Sequence, residues 1–248
     1  MIALKKIWLS ILLALIFTPY VAAEDVHIAV AANFTAAMKE ISRVFERESG
    51  HKTRVSFGST GKLYAQIVNN APFELFLAAG QERPRLLYEQ AVSEQKPITY
   101  AIGKLVLWSR DAQREVSLAA LQAGDFKRLA LGNPKTAPYG TAAAQVLKHL
   151  QLGQALRKKW VLGESIAQAY QFVATGNAEL GFVALAQVSL NDSGARWLVP
   201  QSYYEPIRQN AILLKRGRNN PAASAFWSYL QSPAAQAIIQ QFGYAIPQ

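Results

Sequence analysis

Three observations predict an α/β fold in two lobes. Short apolar runs rich in Val, Ile, Leu and Phe alternate with stretches of helical periodicity from residue 26 to the C-terminus, the pattern of largely parallel sheets flanked by helices. No Pro/Gly/Ser-rich linker, tandem repeat or low-complexity stretch breaks the alternation. Two lobes must therefore be joined by strand-like crossings rather than a tether. Finally, four of the apolar runs end in a short turn of small, polar or capping residues that opens a helix, at 31–35, 58–61, 137–140 and 163–166.

Along the chain, residues 26–30 read as a buried strand. Met38, Ile41, Val44 and Phe45 then recur at helical spacing, and Gly50 follows as a C-cap. Residues 53–57 read as a strand, 63–68 as a helix and 74–78 as a strand. A helix over 85–91 has Pro84 near its first turn. A strand at 104–108 opens a new block. Helices at 117–123 and 140–150 flank a strand at 128–131. A strand at 160–162, a helix at 166–174 and strands at 180–184, 196–199 and 210–214 follow. Helices at 221–230 and 234–242 close the chain. The crossings fall near 104–108 and 206–210, which makes one lobe discontinuous: 24–105 with 209–248, against 106–208.

The first residues read as an address. Lys5 and Lys6 precede a continuous apolar run over 7–17, Pro19 breaks it, and Val21-Ala22-Ala23 supplies small residues at a cleavage site. That is the pattern of a secretory signal peptide over 1–23, too short for a membrane anchor, and it implies export to the periplasm. The chain has no cysteine, which excludes disulfides, thiolate catalysis and cysteine-bound metal. Its formal charge is +10, but the cations are scattered. The densest cluster, Arg157-Lys158-Lys159, reads as a solvated helix face. Without a basic stripe interleaved with aromatics, nucleic acid is not an expected partner.

The turns carry the chemistry. A helix start leaves N–H groups unpaired and bears partial positive charge, so it suits an anion. Ala31-Ala32-Asn33 has little bulk, and Asn33 is expected to donate its side-chain amide or to cap the next helix. Gly58-Ser59-Thr60-Gly61-Lys62 is not a phosphate loop: a GxxxxGK[ST] motif would need Gly at 56 and Ser or Thr at 63, where this chain has Ser56 and Leu63. It remains a turn with two hydroxyls at a helix start. Pro134 and Pro138 stiffen the third turn and leave the N–H of Tyr139 or Gly140 to face a cleft. Ser165 is a natural N-cap that frees the Ile166 N–H. Two turns fall in each lobe, so a small oxyanion would be gripped from both sides. Ligands of open α/β sheets sit beyond the C-terminal strand ends, where all four turns lie.

At these residues the chain resembles the periplasmic molybdate-binding proteins of bacterial ABC importers, which are type II substrate-binding proteins. The resemblance rests on Ala31-Ala32-Asn33-Phe34-Thr35, Gly58-Ser59-Thr60-Gly61, the run over 66–76, Gly103-Lys104-Leu105-Val106-Leu107, Asn133-Pro134 with Ala137-Pro138-Tyr139-Gly140, residues 181–186, and Phe242-Gly243-Tyr244. It implies a two-lobed periplasmic-binding-protein type II fold, each lobe a mostly parallel sheet flanked by helices. It also implies a monomer that binds molybdate, and usually tungstate, through neutral hydrogen bonds, needs no cofactor, and delivers its anion to a membrane permease. The contacts it implies are Asn33 and Thr60 through side-chain and main-chain donors, Tyr139 and Ile166 through main-chain N–H, with Ala32 and Ser59 adjoining. One motif departs. Many members carry a tyrosine whose hydroxyl reaches the anion, and here the motif reads Gly181-Phe182-Val183-Ala184. Tyr139 is the residue whose hydroxyl is expected to compensate.

Two alternatives remain at this level. Another oxyanion, such as sulfate or phosphate, would suit the same turns. A secreted hydrolase is the alternative from another class, but neither Gly-x-Ser-x-Gly nor His-Glu-x-x-His occurs. His27, His51 and His149 are too dispersed for a metal-ligand pattern.

Overall fold

The computed structural model of the protein describes residues 24–190 and 194–247; the leader expected over 1–23 lies outside them. Ten strands are described: β1 (Asp25–Ala31), β2 (Lys52–Gly58), β3 (Leu75–Leu77), β4 (Ile98–Gly103), β5 (Leu105–Ser109), β6 (Leu129–Gly132), β7 (Trp160–Gly163), β8 (Leu180–Ala184), β9 (Ala195–Leu198) and β10 (Ile207–Leu213). The helices are α1 (Thr35–Ser49), α2 (Thr60–Val68), α3 (Glu82–Glu89), α4 (Leu118–Ala123), α5 (Pro138–His149), α6 (Ile166–Ala174), α7 (Pro221–Leu230) and α8 (Pro233–Gln241).

The strands form two five-stranded sheets of matching design, ordered β2-β1-β3-β10-β4 and β7-β6-β8-β5-β9. In each, four strands run one way and one runs against them: β10 in the first, β5 in the second. Those two reversed strands are the ones that arrive from the other lobe. The chain leaves the first sheet between Gly103 and Leu105 and returns to it between Leu198 and Ile207. β4 is an addition to the sequence reading, and Lys104, expected inside a strand, instead marks the break between β4 and β5.

Local chemistry explains the element ends. β5 and β8 are buried along their whole length, which is why they read as unbroken apolar runs rather than as alternation. α1 turns Ala37, Met38, Ile41 and Phe45 inward and ends at Gly50, whose φ of 76° suits a residue without Cβ. Ser59, Ser117, Ser165, Asn220 and Ser232 cap α2, α4, α6, α7 and α8 through their side chains. Each lobe has its own core. Val30, Phe34, Ile41 and Phe226 lie on one face of the first sheet, Leu63, Phe76 and Leu87 on the other, while Leu107, Leu131, Val146 and Phe182 centre the second lobe. The cluster Arg157-Lys158-Lys159 is a 3-10 turn rather than a helix face. Two of its cations rest on rings, Arg157 over Trp160 at 4.4 Å and Lys159 over Phe126 at 5.1 Å.

Candidate anion-binding cleft

The four turns named from the sequence converge. Ala31, Ala32, Asn33, Gly58, Ser59 and Thr60 from the first lobe, with Ala137, Pro138, Tyr139, Ser165 and Ile166 from the second, line one small cavity of about 10 Å³, which Ala79 completes. None of these side chains carries a charge. Parallel register explains the convergence within each lobe: Ala31 pairs with Gly58 and Gly132 with Gly163, so each pair of turns leaves its sheet at the same level.

The second lobe's two helices are brought close by an absent side chain. A Cβ on Gly140 would lie 2.1 Å from the Gly132 carbonyl oxygen, so only glycine lets the first turn of α5 settle onto the end of β6. Tyr139 then occupies the second position of α5 and Ile166 the first position of α6, where N–H groups have no acceptor within the helix. Gln187, which sequence reasoning did not single out, braces the last turn: its carboxamide accepts from Ala184 N at 2.9 Å and donates to the Ile166 carbonyl at 3.4 Å. Ala184 itself does not line the cavity.

The hydroxyls of the second turn are oriented for donation. Ser59 Oγ accepts the Lys62 N–H at 3.4 Å and Thr60 Oγ1 accepts the Ala79 N–H at 3.1 Å. Each acceptor site so used leaves the hydroxyl proton for another partner.

Two expectations are corrected. Asn33 caps no helix, and its side-chain amide is committed elsewhere: Nδ2 donates to Gln209 Oε1 at 2.8 Å and to Tyr244 Oη at 3.0 Å. Asn33 is only 2% exposed, and these bonds hold its backbone in place at the cavity wall. The Tyr139 hydroxyl does not compensate for Ala184 either. It points away from the cavity toward the crossing strands, where it accepts from Gln209 Nε2 at 3.3 Å.

The lobes touch beside the cavity at the start of α2. Gly61 N donates to the Thr136 carbonyl at 2.9 Å, and Lys62 pairs with Glu164 across the rim. That ion pair is exposed and contributes little on its own. Beside the cavity, and sharing Thr60, Ala79, Ala137 and Pro138 with it, runs a wider groove flanked by Arg83, Lys135 and Arg208. These charged side chains thus stand outside the cavity lined by the four turns.

Comparison with known proteins agrees with this geometry. A family profile described as "Bacterial extracellular solute-binding protein" matches residues 26–245. The chain is 52% identical over 229 residues to the molybdate-binding protein ModA of Azotobacter vinelandii, covering 90% of this chain and 91% of the relative. It is 46% identical over 224 residues to ModA of Rhodobacter capsulatus, covering 90% and 89%. Among solved structures, a periplasmic molybdate-binding protein of Azotobacter vinelandii superimposes with a TM-score of 0.86 at 39% identity, covering 90% of this chain and all of that one.

Proposed function

Because the chain belongs to the bacterial extracellular solute-binding proteins, we propose that it captures molybdate, and tungstate by the same contacts, between its lobes and delivers it to the permease of an ABC importer. The observation that carries this reading is the convergence of four helix starts from two lobes on one cavity lined by no charged side chain.

The physical case is as follows. A buried dianion is costly unless many donors replace its water. A helix N-terminus presents roughly half a positive charge, so four of them offset most of a charge of −2 without any titrating group. Main-chain N–H of Ala32, Asn33, Tyr139 and Ile166 and the hydroxyls of Ser59 and Thr60 are the proposed donors. Hydrogen bonds to an ionised group contribute about 1.5–3 kcal/mol each, so six such donors suffice for tight binding after the desolvation cost. Size selection follows from closure. The Gly61–Thr136 backbone contact sets how near the lobes come, so a smaller tetrahedral anion such as sulfate cannot reach the donors of both lobes together.

In this reading the moving bodies are 24–105 with 209–248 and 106–208, the change of sheet at Gly103–Leu105 and at Leu198–Ile207 supplying the two crossings. The leader over 1–23 would direct the chain to the periplasm, where it acts as a monomer. Titration calorimetry with molybdate, tungstate, sulfate and phosphate tests the proposal. Tight, saturable heats with the first two and none with the others are expected. Absent molybdate binding, or sulfate binding of equal strength, overturns it.

A further inference from the structure

Behind the cavity lies a buried polar cluster. Gln209 sits on β10, fully buried, at a register irregularity beside the second crossing. Its Oε1 accepts from Asn33 Nδ2 at 2.8 Å and from the Tyr100 hydroxyl at 3.2 Å. Its Nε2 donates to the Tyr139 hydroxyl at 3.3 Å. Tyr244, from the C-terminal segment, closes the cluster by donating to the Asn33 carbonyl at 2.9 Å. The contacts to Asn33 and Tyr100 join parts of the first lobe. Gln209 to Tyr139 crosses between lobes, as does the hydroxyl contact of Tyr244 with Tyr139, and both end on a residue that lines the cavity.

Space for that contact is reserved in the backbone. A Cβ on Gly103, at the first crossing, would lie 2.0 Å from the Tyr139 hydroxyl oxygen and 3.0 Å from Gln209 Nε2. The hydroxyl therefore docks against bare backbone at one crossing and against a side chain at the other.

We propose that the Tyr139 hydroxyl and the Gln209 carboxamide form a closure clamp, made only when the lobes come together, which holds the first anion turn through Asn33 and the third through Tyr139. Gln209 is thus a positioning residue: it fixes donors on both lobes without touching the anion. Opening the cleft withdraws Tyr139 and leaves the Gln209 amide to water, so the bond contributes to the closed state alone. A net neutral hydrogen bond of this kind shifts a two-state equilibrium by about tenfold. The clamp rests on the interlobe capture proposed above, but it is read from Tyr139, Gln209 and Gly103, so the lobe distance measured without molybdate tests it separately.

The test uses the absence of cysteine in the chain. Cysteines placed at the exposed positions Lys39 and Lys158 carry spin labels that report the interlobe distance. The full exported protein is compared with Tyr139→Phe, which deletes only the hydroxyl, and with Gly103→Ala, which evicts it. Without ligand, both variants should lower the ratio of closed to open by about tenfold. With molybdate, both should release the anion about tenfold faster at an unchanged association rate, whereas general loosening of the fold would alter both rates. In Tyr139→Phe the further change Gln209→Met should add less than it does alone. Distance distributions identical to wild type in both variants would overturn the clamp. A wild-type protein indifferent to molybdate, with the variants still shifted toward open, would overturn the proposed ligand and support the clamp.

Discussion

Replacing Ile166 by proline removes one backbone donor from the cleft and almost nothing else. Position 166 is the first of α6, where proline's fixed φ suits a helix and its missing N–H breaks no helical bond. The residue before it is already suited: Ser165 has φ −138° and ψ 167°, the extended region that a residue preceding proline requires. The chain itself starts α5, α7 and α8 with proline. The Ile166 side chain is buried, so the smaller ring costs about 1 kcal/mol of packing. Ile166→Val carries a similar packing loss but keeps the N–H. Against that control, a lost hydrogen bond to a charged acceptor is about 1.5–3 kcal/mol, an affinity loss of about 10- to 150-fold. Calorimetry of the two variants with molybdate reads this difference directly. Equal dissociation constants for the proline and valine variants would refute the assignment of the Ile166 N–H to the anion.

Three other outcomes follow from the same geometry. Because none of the cavity-lining side chains is charged at neutral pH, molybdate affinity measured by calorimetry should stay flat from pH 6 to 8, and a steep slope there would contradict a site of neutral donors. Burial pushes the hydroxyls of Tyr100, Tyr139 and Tyr244 well above the ordinary tyrosine value. The unfolded chain then loses these protons first, so their contribution to stability is whole below about pH 10 and declines as pH rises above it. Tyrosinate absorbance should show these groups ionising only together with loss of circular dichroism, and not in the folded protein. Finally, Gly140→Ala forces a Cβ against the Gly132 carbonyl. It should cost about 1–3 kcal/mol, seen as a lowered Tm, and should weaken molybdate binding by displacing the Tyr139 N–H; an unchanged Tm would contradict the close approach.

The legible parts of the molecule were those written in contiguous residues. Turns at 58–61 and 163–166 could be read because Ser59 and Ser165 do locally what serine does before a helix. Central strands such as β8 were plain because burial on both faces demands an unbroken apolar run. β4 was missed because its residues, after Pro97, mix Thr and Tyr with Ile and Ala, and its periodicity is weak. The roles of Asn33 and Tyr139 side chains were misread for a different reason. Their partners, Gln209 and Tyr244, lie as far as 176 and 211 residues away from Asn33, and no local pattern separates a capping asparagine from one drawn into a distant buried cluster. Only the return of β10 into the first sheet brings those groups together.

The central claim is that uncharged donors from both lobes enclose the anion, while Arg83, Lys135 and Arg208 stay in the neighbouring groove. Anomalous diffraction at the molybdenum edge, from crystals grown with molybdate, tests it most directly. A single peak ringed by Ala32, Asn33, Ser59, Thr60, Tyr139 and Ile166 is the predicted result. A peak against the groove's arginines or lysine, with the inner cavity unoccupied, would contradict the account.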